Sequence, residues 1–175
     1  MTEKRKANLA DIKILVLDVD GVLTDGTLII HGDGTEGKCF NALDGHGIKL
    51  WKRAGLKVAF LSGRESQPTK HRAKQLKVDY VFEDCHDKLK VLKEFLEKVG
   101  LSPAQTAYVG DDLTDLPVIR YVGFGAAVSN AVAELKQYAD YVTAGAGGKG
   151  AVREVIEYIL KNTGKWPELM EKYLQ

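Results

Sequence analysis

Ile12-Lys13-Ile14-Leu15-Val16-Leu17-Asp18-Val19-Asp20-Gly21-Val22-Leu23-Thr24-Asp25-Gly26 is the stretch whose reading decides the fold. A short apolar run ends in two carboxylates, Asp18 and Asp20, and breaks at Gly21. A run of Ile, Val and Leu of this length reads as a strand buried on both faces of a sheet. The carboxyl end of such a strand is where ligands gather in open α/β folds. Two carboxylates there need a counter-charge, because burying an unpaired charge is costly. A divalent cation, which takes oxygen ligands, supplies one. From this stretch alone, capping of a turn is the alternative, since Asp is a common turn residue.

Strand and helix signals alternate outward from it. Residues 27–31 and 35–40 flank Gly32-Asp33-Gly34, the pattern of a β-hairpin. Asp44-Gly45-His46-Gly47 reads as a turn placed to cap a helix that begins near Ile48 and ends at Gly55. Residues 56–61 form a second buried strand closed by Ser62-Gly63-Arg64, and a helix runs from about Pro68 to near Lys77. Residues 80–82 are a short strand, and residues 87–99 an amphipathic helix with Leu89, Leu92, Phe95, Leu96 and Val99 on one face. The strand over 106–109 runs into Gly110-Asp111-Asp112-Leu113-Thr114-Asp115. A helix to about Val122, a strand over 123–128, a helix over 131–138 and a strand over 141–143 follow. Residues 145–150 read as a flexible loop before a helix over 151–161, and residues 163–175 as a tail with a helical end. This alternation predicts an α/β fold, a doubly wound parallel sheet with a hairpin after its first strand. No repeat, linker or low-complexity stretch divides the chain, so residues 1–175 read as one domain, with 164–175 as a C-terminal tail.

Composition narrows the partners. The 175 residues are 45% hydrophobic and 28% charged, with a net charge of +1, which argues against a dedicated nucleic-acid or membrane-surface binder. No apolar run is long enough to cross a bilayer, no signal peptide precedes Ile12, and residues 1–11 read as a frayed polar lead-in. Cys39 and Cys85 form neither metal-ligand spacing nor a disulfide framework, and His31, His71 and His86 lack ligand spacing. Cytoplasm is the expected compartment.

Four sites fall at strand ends or a helix start: Asp18 with Asp20, Ser62 with Gly63, Lys88, and Asp111 with Asp112 and Asp115. Together they put carboxylates, a hydroxyl and an ammonium on one edge of one sheet. The chemistry this suits is phosphoryl transfer from a monoester to a carboxylate. An aspartate nucleophile approaches a phosphate dianion only when its own charge is offset, as by Mg²⁺. A hydroxyl and a lysine then hold the phosphoryl oxygens as charge spreads in the transition state.

The arrangement resembles the haloacid dehalogenase superfamily of aspartate-dependent phosphatases. Asp18-Val19-Asp20-Gly21-Val22 looks like its first motif, Leu61-Ser62-Gly63 the second, Lys88 the third and Gly110-Asp111-Asp112-Leu113-Thr114-Asp115 the fourth. The resemblance implies that Asp18 attacks phosphorus and carries an aspartyl-phosphate, and that Asp20 shuttles the proton. It implies Mg²⁺ held by Asp18, Asp111 and the backbone carbonyl of Asp20, with Asp112 and Asp115 orienting ligands or waters, and Ser62, Gly63 and Lys88 gripping the phosphate. Many members insert a cap domain between motifs. Here those intervals hold only the hairpin and single helices, so no cap is expected.

The short chain, the hairpin, Asp44-Gly45-His46-Gly47-Ile48 and Gly147-Gly148-Lys149-Gly150-Ala151-Val152-Arg153-Glu154 resemble an uncapped subgroup, the 3-deoxy-D-manno-octulosonate 8-phosphate phosphatases. Relatives of that subgroup act on nine-carbon sialic-type acid 9-phosphates. The subgroup implies a homotetramer whose neighbouring subunits complete each site, a phosphorylated sugar-acid substrate and a place in lipopolysaccharide precursor synthesis. The substrate's carboxylate calls for an arginine fork, for which Arg64 and Arg72 are the candidates. A rival of another class is a phospho-acceptor signalling module, which also sets an acidic cluster, a hydroxyl and a lysine on a parallel sheet. A residue placed like Asp20 to activate water counts against it.

Overall fold

The computed structural model describes residues 8–174. Ile14–Leu17 forms β1, and every one of its side chains is buried. Its neighbours are Lys57–Leu61 (β4) and Thr106–Gly110 (β6), both parallel to it, with Leu17 level with Phe60 on one side and Val109 on the other. Tyr80–Phe82 (β5) lies outside β4, while Phe124–Ala127 (β7) and Tyr141–Val142 (β8) lie outside β6. The six strands are all parallel, in the order β5-β4-β1-β6-β7-β8. The chain therefore leaves β1 in one direction and returns past it to β6. Ligands bind at such a reversal, at the carboxyl ends of the strands.

Seven helices connect and cover this sheet among the described residues: Ala42–Arg53 (α1), Gln67–Leu76 (α2), Lys88–Val99 (α3), Leu116–Tyr121 (α4), Ala133–Tyr138 (α5), Ala151–Asn162 (α6) and Trp166–Leu174 (α7). Right-handed crossovers put α1 and α2, which lead outward from β1, on one face, and α3, α4 and α5, which lead back past it, on the other. The packing agrees: α1 lies against α2 and α6, whereas α3 and α5 lie against α4. The expected doubly wound α/β fold is what forms. Ile29–Ile30 (β2) and Glu36–Gly37 (β3) make the expected antiparallel hairpin, closed by His31 N–H donating to the Thr35 carbonyl at 2.8 Å, and no cap domain interrupts the sheet. Among the described residues no helix is long and apolar enough to cross a membrane. Of the lead-in expected over residues 1–11, 1–7 lie outside the described residues, and Leu9–Asp11 forms a 3₁₀ turn.

Two expectations need correction. Residues 44–47 are not a turn before a helix; they lie inside α1, whose N-cap is Asn41, its Oδ1 accepting from Leu43 N at 2.7 Å. The glycines there serve close packing rather than a bend: a Cβ on Gly45 would stand 2.3 Å from the Arg72 guanidinium, and one on Gly47 3.0 Å from Arg153. Asp44 does cap a helix, but a distant one. Its buried carboxylate accepts from Arg153 N at 2.8 Å and Gly150 N at 3.3 Å, satisfying N–H groups at the start of α6. Nor is the glycine-rich loop over 145–150 loose, because Gly148 N–H donates to the Val22 carbonyl at 2.9 Å and Gly147 N–H to Asn130 Oδ1 at 2.8 Å. That loop braces the segment that follows Asp18.

Candidate active site

Beyond β1 the chain turns over at once. The Val19 carbonyl accepts from the N–H groups of Leu23 and Thr24 at 2.9 and 3.1 Å, and Gly21 takes φ +87. Only glycine is at ease there. It is also required for space, since a Cβ on Gly21 would stand 2.0 Å from Asp111 Oδ2. The break after the two carboxylates thus lets the end of β6 close onto the end of β1.

At this edge lies a cleft of about 340 Å³ lined by Asp18, Asp20, Ser62, Gly63, Arg64, Cys85, His86, Lys88, Asp111, Asp112 and Thr114. Asp18 is buried, its Oδ1 accepting from Val19 N at 2.7 Å and its Oδ2 lying 3.0 Å from Lys88 Nζ. Lys88, at the start of α3 behind the N-cap Asp87, also reaches Asp115 Oδ1 at 2.7 Å. Asp115 is wholly buried and fully engaged: Tyr108 Oη donates to Oδ1 at 2.6 Å, and the backbone N–H groups of Asp111 and Asp112 donate to Oδ2 at 2.9 and 3.3 Å. Ser62 is buried at the end of β4 and its Oγ accepts from Arg64 N at 3.2 Å. Asp112 is exposed, and its carboxylate accepts from Leu113 N at 2.7 Å.

The electrostatics of the cleft are dominated by a surplus of negative charge. Burial, then the charge of Asp115, pushes the carboxyl of Asp18 well above the carboxylate range, and the same two causes push Asp111 up to about 6. Burial alone would push Lys88 down, but the charges of Asp18 and Asp115 outweigh it and hold the ammonium above its ordinary value. Tyr108 is also pushed well up, by burial first and then by Asp115, so it serves as a hydrogen-bond donor. Oxygen atoms of Asp18, Asp111 and Asp115 all lie within 4.8 Å of one another. Three hard oxygen donors against a single ammonium fit a divalent cation in both ligand type and charge. Because the lone pairs of Asp115 are taken by four donors, Asp18 and Asp111 are the carboxylates left to face it.

Of the residues singled out from sequence, Asp18, Asp20, Ser62, Gly63, Arg64, Lys88, Asp111 and Asp112 line the cleft, and Asp115 lies directly behind it. Arg72 does not. Its Nη2 donates to the Asn41 carbonyl at 3.1 Å, and it lines a separate cavity of about 530 Å³ with Lys38, Phe40, Pro68, His71 and Gln75. Arg64 precedes the N-cap Ser66, whereas Arg72 lies past the first turn of α2, and the helix carries it away from the cleft. Three participants had no local signal. Lys38 Nζ stands 2.6 Å from Asp20 Oδ1, Glu36 Oε2 stands 3.1 Å from Arg64 Nη2, and Tyr108 underlies Asp115. Cys85 lines the cleft as a thiol that burial pushes up, which disfavours the thiolate a nucleophile needs.

The comparisons with known proteins agree with this geometry. Residues 80–156 match the family model described as haloacid dehalogenase-like hydrolase. The chain is 41% identical over 162 residues to 3-deoxy-D-manno-octulosonate 8-phosphate phosphatase KdsC of Escherichia coli (strain K12), covering 93% of this chain and 86% of that protein. A solved structure of the 3-deoxy-D-manno-octulosonate 8-phosphate phosphatase from Moraxella catarrhalis, in complex with magnesium ion, phosphate ion and a KDO molecule, superposes with a TM-score of 0.92 at 38% identity, over 94% of this chain and 95% of that one. A probable yrbi family phosphatase from Pseudomonas syringae gives a TM-score of 0.94 at 46% identity over 95% of both chains. With the acidic cluster, buried lysine and strand-end serine on one sheet edge and relatives of this identity along nearly its whole length, the chain belongs to the haloacid dehalogenase-like hydrolase family, in its phosphatase branch.

Proposed function

We propose that the chain is a Mg²⁺-dependent phosphomonoesterase that hydrolyses 3-deoxy-D-manno-octulosonate 8-phosphate through an aspartyl-phosphate on Asp18. The observation that carries this reading is the convergence of Asp18, Asp20, Ser62, Lys88 and Asp111 on one cleft. Asp18 attacks phosphorus, a P–O bond forms to its carboxylate, and the P–O bond to the sugar breaks. Asp20, at the mouth of the same cleft, delivers a proton to the departing sugar oxygen. It then takes a proton from the water that attacks phosphorus, and the bond to Asp18 breaks as phosphate leaves. Ser62, the Gly63 backbone and Lys88 hold the phosphoryl oxygens, and Lys88 is itself aimed by Asp115. Mg²⁺ bound by Asp18, Asp111 and the Asp20 carbonyl would offset the charge between nucleophile and phosphate. Asp112 and Asp115 act on that site indirectly, through the backbone they hold.

Substrate breadth follows from the open cleft. Arg64 faces it and suits the substrate's carboxylate. Arg72 opens on another cavity, so any contact it makes with substrate is with one held by a neighbouring subunit. A homotetramer built on the hairpin fits the exposure of Leu28, Ile29 and Ile30 there. The reading takes residues 1–175 as one catalytic unit with 164–175 as its tail, working in the cytoplasm on a lipopolysaccharide precursor. Phosphate release should be measured over a panel of sugar phosphates with and without Mg²⁺. The octulosonate 8-phosphate should be hydrolysed fastest and only with the cation. Faster turnover of a nine-carbon acid 9-phosphate would reassign the substrate, and an aspartyl-phosphate that persists for minutes without release would point to a signalling module.

A further inference from the structure

The geometry points to Lys38 as the residue that positions Asp20 for proton transfer, an assignment that rests on the phosphatase reading above. Lys38 lies just past β3, and its side chain is 2% exposed, with its ammonium 2.6 Å from Asp20 Oδ1. A lysine withdrawn from water to this degree is held there by its partner. Asp20 is more open, at 23%, and its other oxygen, Oδ2, lies 3.9 Å from Arg64 Nη1. That nitrogen is buried and has no hydrogen-bond partner. One oxygen of Asp20 is therefore committed to Lys38 and the other is left on the side of Arg64 and the cleft. A proton shuttle that serves two steps needs its carboxylate held in one rotamer with one free oxygen aimed at the reacting atoms. Lys38 supplies that restraint.

The hairpin carries the same logic one step further. Residues two apart on a strand face the same side. Glu36, on β3, holds Arg64 at 3.1 Å, and Lys38 holds Asp20. Glu36 and Lys38 together thus set two walls of the cleft. Lys38 is not among the residues that line the cleft, so it acts through Asp20.

The test compares Lys38→Met, Lys38→Arg, Asp20→Asn and Lys38→Met/Asp20→Asn, each checked by thermal melting. Lys38→Met should lower kcat/KM at least about tenfold on a sugar phosphate, whose leaving oxygen needs a proton. On p-nitrophenyl phosphate, whose leaving group departs without one, the loss should be no more than about threefold. Lys38→Arg should recover most of the activity. In the Asp20→Asn background, Lys38→Met should cost nothing more, because the group it positions is gone. Equal losses on both substrates, or an undiminished loss in the Asp20→Asn background, would overturn the assignment while leaving the mechanism intact. Normal turnover by Asp20→Asn would instead remove the mechanism itself, and this assignment with it. If Lys38→Met does not fold, Lys38→Gln takes its place in every comparison, with the same expected outcomes.

Discussion

Asp111 shows how the site's chemistry is written into single side chains. Burial, then Asp115, raises its carboxyl from an ordinary 3.8 to about 6. Between those values the folded chain holds a proton that the unfolded chain has released. The folded state binds more protons there, so this group's contribution to stability is present at low pH and is lost as pH rises through about 6. A cation takes only the ionised form, so its binding strengthens over the same window. Mg²⁺ should therefore raise the melting temperature more at pH 7.5 than at pH 5. Equal Mg²⁺ shifts at the two values would contradict the assignment of Asp111 as a ligand. Asp18, raised in the same sense, reinforces the trend. The residue scale also shows what a local reading misses: Lys38 and Glu36 sit in a hairpin whose sequence signals only a turn, and their partners are fixed by how that hairpin folds back.

At the scale of elements, the carboxylate of Asp44 links α1 to α6. It sits within α1 yet satisfies N–H groups at the start of α6, in a place where water cannot replace it. Asp44→Ala should cost about 2 kcal/mol, the range for losing a helix cap whose donors are left buried. Chemical denaturation checks this, and an unchanged midpoint would show that α6 does not depend on the cap. The C-terminal helix is tied down in another way. Tyr173 Oη accepts from Arg53 Nη1 at 2.7 Å and meets His46 Nε2 at 2.9 Å, and Trp166 lies beneath the cations of Arg153 and Lys161. Burial, then the positive charges of Arg153, Arg53 and Lys49, lowers the pKa of His46, which keeps its ring neutral as a partner for Tyr173 near neutral pH. The tail read from sequence as helical at its end is helical, over Trp166–Leu174, with Gln175 outside the described residues.

For the molecule as a whole, the open question in the site is what covers it. The cleft has no cap above it, and the hairpin beside it exposes Leu28 by 54% and Ile30 by 62%. A second copy covering these residues would enclose them and bring another face of the chain to the cleft. In the proposed tetramer, Leu28→Asp/Ile30→Asp should give monomers, as light scattering would show, and raise KM for the sugar phosphate more than it lowers the rate on p-nitrophenyl phosphate. Monomers in the unsubstituted protein, or an unchanged mass in the variant, would remove the tetramer from the reading.

Most of this protein was legible from residues close together in the chain. Apolar runs ending in Asp18, Ser62 and Asp111 announced parallel strands with polar carboxyl ends, because strand burial and strand termination are local properties of sequence. For the same reason the helices α2, α3 and α6 were found within a residue or two of their ends. What only the tertiary structure decided concerns pairs far apart in sequence. The glycines at 45 and 47 pass for a turn until Arg72 and Arg153 are packed against them. Asp44 is a cap only once α6 is beside it, Lys38 is a partner of Asp20 only once the hairpin has folded back, and Arg72 is excluded from the cleft only once α2 has a direction. A side chain's burial and charge environment are sums over neighbours brought together by folding. Composition and periodicity therefore fixed which groups the edge of the sheet would carry, but not which of them would touch.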